Sequence, residues 1–242
     1  MFDLKLALMT GVDIPIPECQ LTLHQPTIRE ISMVGEREFF TGAQVLCMDK
    51  GTYIEDENAL SEINNFQIFM TVMTDKETTD KKENVLQVLY LLFPNYKVIL
   101  TPRSLLFNSS DENIIIDENN FENLQVVFKQ VFCLSSSQQK SFNPANEAAK
   151  KIADKLMKAR QRVAAQKGQD ESNASMFAQY LSILTVGLGS MSLKDLINLT
   201  MYQLYDLVER YTLYTAWDID IRSRLAGGKP DSTPDNWMKN IH

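Results

Sequence analysis

The sequence predicts an α+β fold: an N-terminal domain with a small sheet covered by helices, followed by an all-helical C-terminal domain. Three observations predict it. Before residue 134, runs with a two-residue apolar period alternate with runs spaced three and four apart, whereas after residue 143 only the helical spacing remains. Charge divides at the same place: 11 basic and 20 acidic side chains through Phe142, then 13 and 11 beyond it. Between the halves, Leu134-Ser135-Ser136-Ser137-Gln138-Gln139-Lys140 is polar and aperiodic and reads as a linker. The expected organisation is an acidic α+β domain at 1–134, a linker at 135–142 and a helical domain at 143–242.

In the first domain, Asp13 to His24 places Cys19, Leu21 and Leu23 on one side and Gln20, Thr22 and His24 on the other. That alternation predicts a strand, with Pro15 and Pro17 holding its start at an edge. Thr27 followed by Glu30 is a capping box and predicts a helix start, with Ile28, Ile31 and Val34 as its apolar stripe. Phe39 to Met48 is a second short helix, its entry favoured by Glu36 and Glu38. Asn58–Met73 and Lys81–Phe93 carry the stronger helical patterns, with a charged loop, Asp75–Glu83, between them; Pro94 stops the second. Tyr96–Leu100 and Asn113–Ile116 are β-branched runs expected to form a hairpin about the polar connection Asn108–Asp111. The last helix, Phe121–Phe132, is expected to bury Leu124, Val127, Phe128 and Val131.

The second domain opens at Asn143-Pro144, a cap followed by a proline at the first helical position. A helix from there to Lys167 would be about 37 Å long. Ala149, Ile152, Leu156, Ala159 and Val163 form a seam along it, and Lys151, Lys155, Lys158 and Arg162 form a basic stripe beside the seam. Further helices are expected at Ser172–Val186, Leu193–Leu199, Met201–Leu213 and Ala216–Leu225. The last three are marked by the box-like pairs Ser192/Asp195, Thr200/Gln203 and Thr215/Asp218. Asp218 with Arg222, and Asp220 with Arg224, are spaced to pair along one helix. The glycines at 187, 189 and 227 read as helix punctuation.

Composition narrows function by exclusion. Mean hydropathy is −0.20 and no apolar run reaches the roughly 18 residues of a membrane span. Met1–Lys5 lacks the basic flank and apolar core of a signal peptide, so export by that route is not expected. Three widely spaced cysteines give no disulfide framework. There is no Cys-x-x-Cys or His-x-x-x-His pair for zinc, no phosphate-cradling glycine loop and no Gly-x-Ser-x-Gly. His24 and Cys19 lack a third, orienting group in sequence and read as a surface or strand histidine and a core thiol. Glu55-Asp56-Glu57 with Glu62 lacks the spacing of a calcium loop. The basic stripe has no interleaved aromatic to stack a base, which disfavours nucleic acid. No cofactor, metal or catalytic residue is expected, and the chain reads as a non-enzymatic protein.

The feature that remains is aromatic. Tyr202, Tyr205, Tyr211, Tyr214, Trp217 and Trp237, with Met238, concentrate in the last 41 residues. Such side chains serve as interface anchors and equally as helix packing, and both readings stay open.

Three segments carry a family likeness. These are residues 22–42, Thr-Leu-His-Gln-Pro-Thr-Ile-Arg-Glu-Ile through Gly-Glu-Arg-Glu-Phe-Phe-Thr-Gly; then Asn143-Pro144 with Ala149-Lys150-Lys151-Ile152-Ala153; and Arg222–Gly227 through Asn236-Trp237-Met238-Lys239. They resemble tail assembly chaperones and baseplate-associated proteins encoded in the tail gene cluster of long-tailed bacteriophages. The resemblance implies chaperone-like binding to a tape-measure or tail-tube partner during tail morphogenesis, in the host cytoplasm, with self-association left open. It leaves two alternatives: a structural virion component of the tail or baseplate, and a nucleic-acid-binding accessory protein.

Overall fold

The computed structural model describes residues 2–53, 63–75, 78–110, 112–134, 175–227 and 236–238. The linker at 135–142, the basic helix, the acidic cluster at 55–57 and 62, and the tail prolines lie outside these residues. Within them the chain is α+β, with two small antiparallel sheets in the N-terminal part and a helical C-terminal region. No helix among the described residues is long and apolar enough to cross a membrane.

The first element, α1 (Leu4–Thr10), has no counterpart in the sequence expectation. Asp3 caps it through Leu6 N, and Gly11 closes it. Seven residues hold too little of the helical period to stand out. The stretch expected as one strand is instead a hairpin, β1 (Ile14–Ile16) and β2 (Leu21–Leu23), folded about a 3-10 turn at Pro17–Cys19. Both arms keep the alternation, so Ile14, Ile16, Leu21 and Leu23 are all buried. Pro17 starts the turn, where its missing N–H leaves no bond unmade.

Helix α2 (Ile28–Val34) begins at the expected capping box, with Thr27 and Glu30 bonded reciprocally. It is followed by α3 (Glu36–Leu46), α4 (Lys50–Tyr53), α5 (Asn65–Thr74) and α6 (Thr79–Leu92). Gly42 lets α3 and α6 touch: a β-carbon there would stand 2.6 Å from the Asn84 carbonyl oxygen. Next comes a three-stranded meander, β3 (Lys97–Leu100), β4 (Leu105–Asn108) and β5 (Asn113–Ile116), in place of the expected two-stranded hairpin. The middle strand escaped notice because Leu105-Leu106-Phe107 lacks β-branched residues. Helix α7 (Phe121–Val131) packs against β1, the turn at Pro17–Cys19, α3 and α5, and buries Phe121, Leu124, Gln125, Phe128 and Val131, leaving Val127 only half-buried.

The C-terminal region comprises α8 (Met176–Leu188), α9 (Leu193–Leu196) and α10 (Met201–Leu225). The two helices expected at 201–213 and 216–225 are one. Nothing between Leu213 and Ala216 breaks a helix, and Thr215 lies mid-helix instead of capping one. Gly189 closes α8 with φ 62°, as expected of a punctuating glycine, while Gly187 sits inside it.

Seven fully buried phenylalanines (39, 69, 93, 107, 121, 128 and 132) dominate the core. A run of ring contacts leads from the sheet to the last helix: Phe107–Phe93 at 4.9 Å, Phe93–Phe128 at 6.2 Å, Phe128–Phe132 at 5.8 Å and Phe132–Phe39 at 5.5 Å. It continues through Phe39–Phe40 at 5.8 Å, Phe40–Phe177 at 5.5 Å and Phe177–Tyr205 at 6.5 Å. Backbone hydrogen bonds join the same two regions. Ile28 N donates to Leu199 O and Arg29 N to Ile197 O, each at 2.9 Å, and Thr27 bridges Thr200. The carboxylate of Glu36 caps α8, accepting from the amides of Met176 at 2.9 Å and Phe177 at 3.3 Å and from the Ser175 hydroxyl. These ties fix where α10 starts and in which direction it runs.

Candidate functional site

Helix α10 changes character along its length. At its start Met201, Tyr202 and Leu204 are buried; beyond Leu204 no residue of the helix is. Thr200 caps it through Gln203 N, and Gln203 in turn donates to Met9 O at 2.8 Å, pinning the start of the helix to α1. The far half is strengthened along its own surface. Arg222 pairs with Asp218 at 2.8 Å and Arg224 with Asp220 at 3.0 Å, the two pairs expected from the spacing.

The seven aromatic and methionine candidates fall into two groups. Tyr202, only 6% exposed, belongs to the core. Tyr205 is half-buried between helices, its ring 5.8 Å from Tyr180 and its hydroxyl donating to Met176 Sδ at 3.6 Å. Burial pushes both phenols upward, so neither ionises near neutrality. Tyr211 packs its ring against Gly187 of α8. These three hold α10 to the rest of the chain.

The other four gather at its far half. Trp237 returns to lie edge-on to Tyr214 at 5.4 Å and tilted against Trp217 at 6.4 Å, while Tyr214 and Trp217 are 6.1 Å apart. Arg210 Nη1 donates to the Trp237 carbonyl at 2.9 Å. Trp217 and Trp237 are half-buried, Tyr214 is 46% exposed and Met238 68% exposed. Elsewhere on the far half of α10, Ile219 and Leu225 are exposed at 62% and 83%. Single exposed apolar residues are ordinary; the ring cluster, with both indoles only half-buried, is what sets this part of the helix apart.

A second feature, not anticipated from sequence, lies where α1, β2 and α9 meet. A cleft of about 440 Å³ is lined by Thr10, His24, Gln25, Asp195, Thr200 and Gln203, among others. His24 does have orienting groups, contrary to the sequence reading: Nδ1 is 3.1 Å from Asp13 and Nε2 is 3.4 Å from Glu30. They escaped notice because the hairpin brings Asp13, 11 residues away, beside His24, and the turn into α2 brings Glu30, 6 residues away. The two carboxylates nearest the α2 and α9 starts are already engaged. Glu30 accepts from Thr27 N at 2.7 Å and Thr27 Oγ1 at 2.8 Å, and Asp195 accepts from Ser192. Cys19 offers no nucleophile to this cleft: its thiol turns to Asn120 O at 3.5 Å, and burial, with Glu18 nearby, pushes it up to about 11. The cleft therefore reads as the polar lining of the seam between the two regions. No group of three His, Cys, Asp or Glu side chains able to hold a metal occurs among the described residues.

Comparison with known proteins adds one finding. The family model described as the YomV second domain matches residues 167–242, about a third of the chain; YomV is a protein of a Bacillus prophage region. No curated protein and no solved structure matches. The matched stretch contains α8, α9, α10 and the Trp237 contact, so all of the aromatic cluster falls within it.

Proposed function

We propose that this chain is a non-enzymatic protein of phage tail assembly, holding a tape-measure, tail-tube or baseplate partner against the aromatic half of α10. One observation carries the reading. Both tryptophans of the chain meet Tyr214 on the part of α10 beyond Leu204, where no residue of the helix is fully buried. Large rings at a partly desolvated patch are where binding energy concentrates, and an amphipathic helix laid along such a face reads it at spacings of three and four residues. Two considerations support the assignment to a tail: the cluster lies within the stretch matching a domain of a prophage-region protein, and the sequence of residues 22–42 and 222–239 reads as similar to tail assembly proteins.

The test is co-expression with the coiled-coil tape-measure protein of the same gene cluster, followed by affinity measurement. Trp217→Ala is expected to weaken the complex by about 2 kcal/mol, close to thirtyfold. Unchanged affinity in that variant overturns the assignment of the surface. Mass spectrometry of purified particles separates a chaperone, absent from them, from a tail or baseplate component, which is retained.

A further inference from the structure

The cleft where α1, β2 and α9 meet has turned its donors inward and kept acceptors over. Thr10 Oγ1 donates to Leu6 O and Thr27 Oγ1 to Glu30 Oε2, each at 2.8 Å. Asn198 Nδ2 donates to Lys194 O and Gln203 Nε2 to Met9 O, also at 2.8 Å. Gln25 goes furthest. It lines the cleft at 1% exposure, and its Nε2 donates to Ala7 O at 2.9 Å and Val12 O at 2.5 Å. No donor among the described residues reaches its buried Oε1. Turning the amide round would set Oε1 against two carbonyl oxygens, so the acceptor stays where it is. A buried acceptor without a donor destabilises a fold, and native chains keep few of them.

Charge selects the kind of donor. Ser192 engages only Oδ2 of Asp195, leaving Oδ1, and its hydrogen bonds hold that carboxyl below the usual carboxylate range. His24 offers no donor, because both ring nitrogens face carboxylates, at 3.1 Å and 3.4 Å; with Asp13 and Glu30 it is net negative in either protonation state. No Lys or Arg among the described residues lines the cleft, and Met191 and Leu199 give it an apolar side. We propose that the cleft binds a primary alkylammonium group, of a free amine or of a partner's lysine side chain, drawn by Asp195 and donating to Gln25 Oε1. An ammonium is compact and carries three N–H donors, whereas a quaternary amine has none to give. A volume of about 440 Å³ admits the head with a short aliphatic stem. The site stands apart from the aromatic half of α10.

The test is titration of the isotope-labelled full-length protein, followed by two-dimensional NMR, with butylammonium chloride at low salt. Butanol and tetramethylammonium serve as the uncharged and the donor-free matches. The Gln25 side-chain amide and the Asn198 and Thr200 amides are expected to shift with butylammonium, and butanol should bind about tenfold more weakly. Tetramethylammonium should leave the Gln25 signal in place. Asp195→Asn keeps an acceptor for Ser192 but removes the charge, and should weaken butylammonium binding about tenfold, with circular dichroism confirming the fold. If that variant fails to fold, the three ligands on the wild type decide. Tighter binding of Nα-acetyl-lysine methylamide than of butylammonium supports the site with a partner's lysine as the source; weaker binding supports it with a free amine. Equal binding of butanol, unchanged affinity in Asp195→Asn, or shifts confined to residues outside the cleft each overturn the proposal and leave Gln25 Oε1 to water. These measurements involve no tape-measure protein, so they hold whether or not the aromatic surface binds one.

Discussion

Tyr211 of α10 lies with its hydroxyl against the bare Cα of Gly187 in α8, so close that a β-carbon at 187 would overlap the hydroxyl and the ring carbon that bears it. Alanine normally improves a helix interior over glycine by about 0.5–1 kcal/mol. Here the overlap forces the half-buried Tyr211 ring from its place, and overpacking of this kind costs about 1–3 kcal/mol. Gly187→Ala is therefore expected to destabilise the protein in urea titration. In a Tyr211→Ala background the same substitution should become neutral or stabilising. A destabilisation that persists there would place the strain elsewhere in α8.

The capping box that opens α2 gives a pH dependence with a definite sign. Burial pushes the Glu30 carboxyl up, but hydrogen bonds from the Thr27 amide and hydroxyl, together with the nearby His24, outweigh it and leave it below its ordinary value of 4.5. A carboxyl depressed in the folded state contributes stability that is present above its unfolded value and lost as pH falls through the folded one. The difference in unfolding free energy between wild type and Glu30→Gln should thus be constant near neutrality and shrink below about pH 5. Its size will be modest, because Glu30 is 38% exposed and water and salt screen it. A difference that grows on acidification would contradict this.

The three thiols should be chemically quiet in the folded chain. Burial pushes Cys133 up to about 12, and Cys47 to about 12 despite the opposing charge of Lys129, while Cys19 reaches about 11. Since the thiolate is the reactive form, each is less than about one part in a thousand activated at pH 8. A thiol-disulfide reagent at that pH should label none of them within minutes, and all three once the chain is unfolded in guanidinium. Rapid labelling of one thiol in the native state would reveal local opening around it.

What the sequence disclosed and what it hid follow a physical division. Caps are local devices, fixed by residues three apart, and Thr27/Glu30, Ser192/Asp195 and Thr200/Gln203 are all found as read. Thr215/Asp218 has the same letters, but a cap also requires the chain to leave the helix, and there it continues. The i,i+4 pairs on α10 were legible for the same reason of locality. The ring cluster was legible as composition only. Sorting Tyr202, Tyr205 and Tyr211 into packing and Tyr214, Trp217 and Trp237 into a patch depends on where α10 loses its neighbours, which is set by bonds such as Ile28 to Leu199 across 171 residues. His24 between Asp13 and Glu30 was hidden because a hairpin on one side and the turn into α2 on the other, not a helix period, bring them together.

Gln125 is the clearest case of a core residue that periodicity ranks as surface. It is 2% exposed on α7, and each end of its amide is used. Nε2 donates to the carbonyls of Leu46 at 2.9 Å and Met48 at 3.0 Å, and Oε1 accepts from Asn65 Nδ2 at 3.1 Å. Asn65 then accepts from Lys50 N at 2.9 Å, so one side chain fixes the turn between α3 and α4 and the start of α5. Leucine at 125 fits the volume but leaves a buried carbonyl and the Asn65 amide unpaired, a loss of about 2–3 kcal/mol. Gln125→Leu should therefore lower stability by that amount in urea titration. It should also raise hydrogen exchange at the Lys50 amide more than at amides in the middle of α6. An equal rise at both places would mean that the substitution weakens the whole fold and that the network does not act locally on the turn.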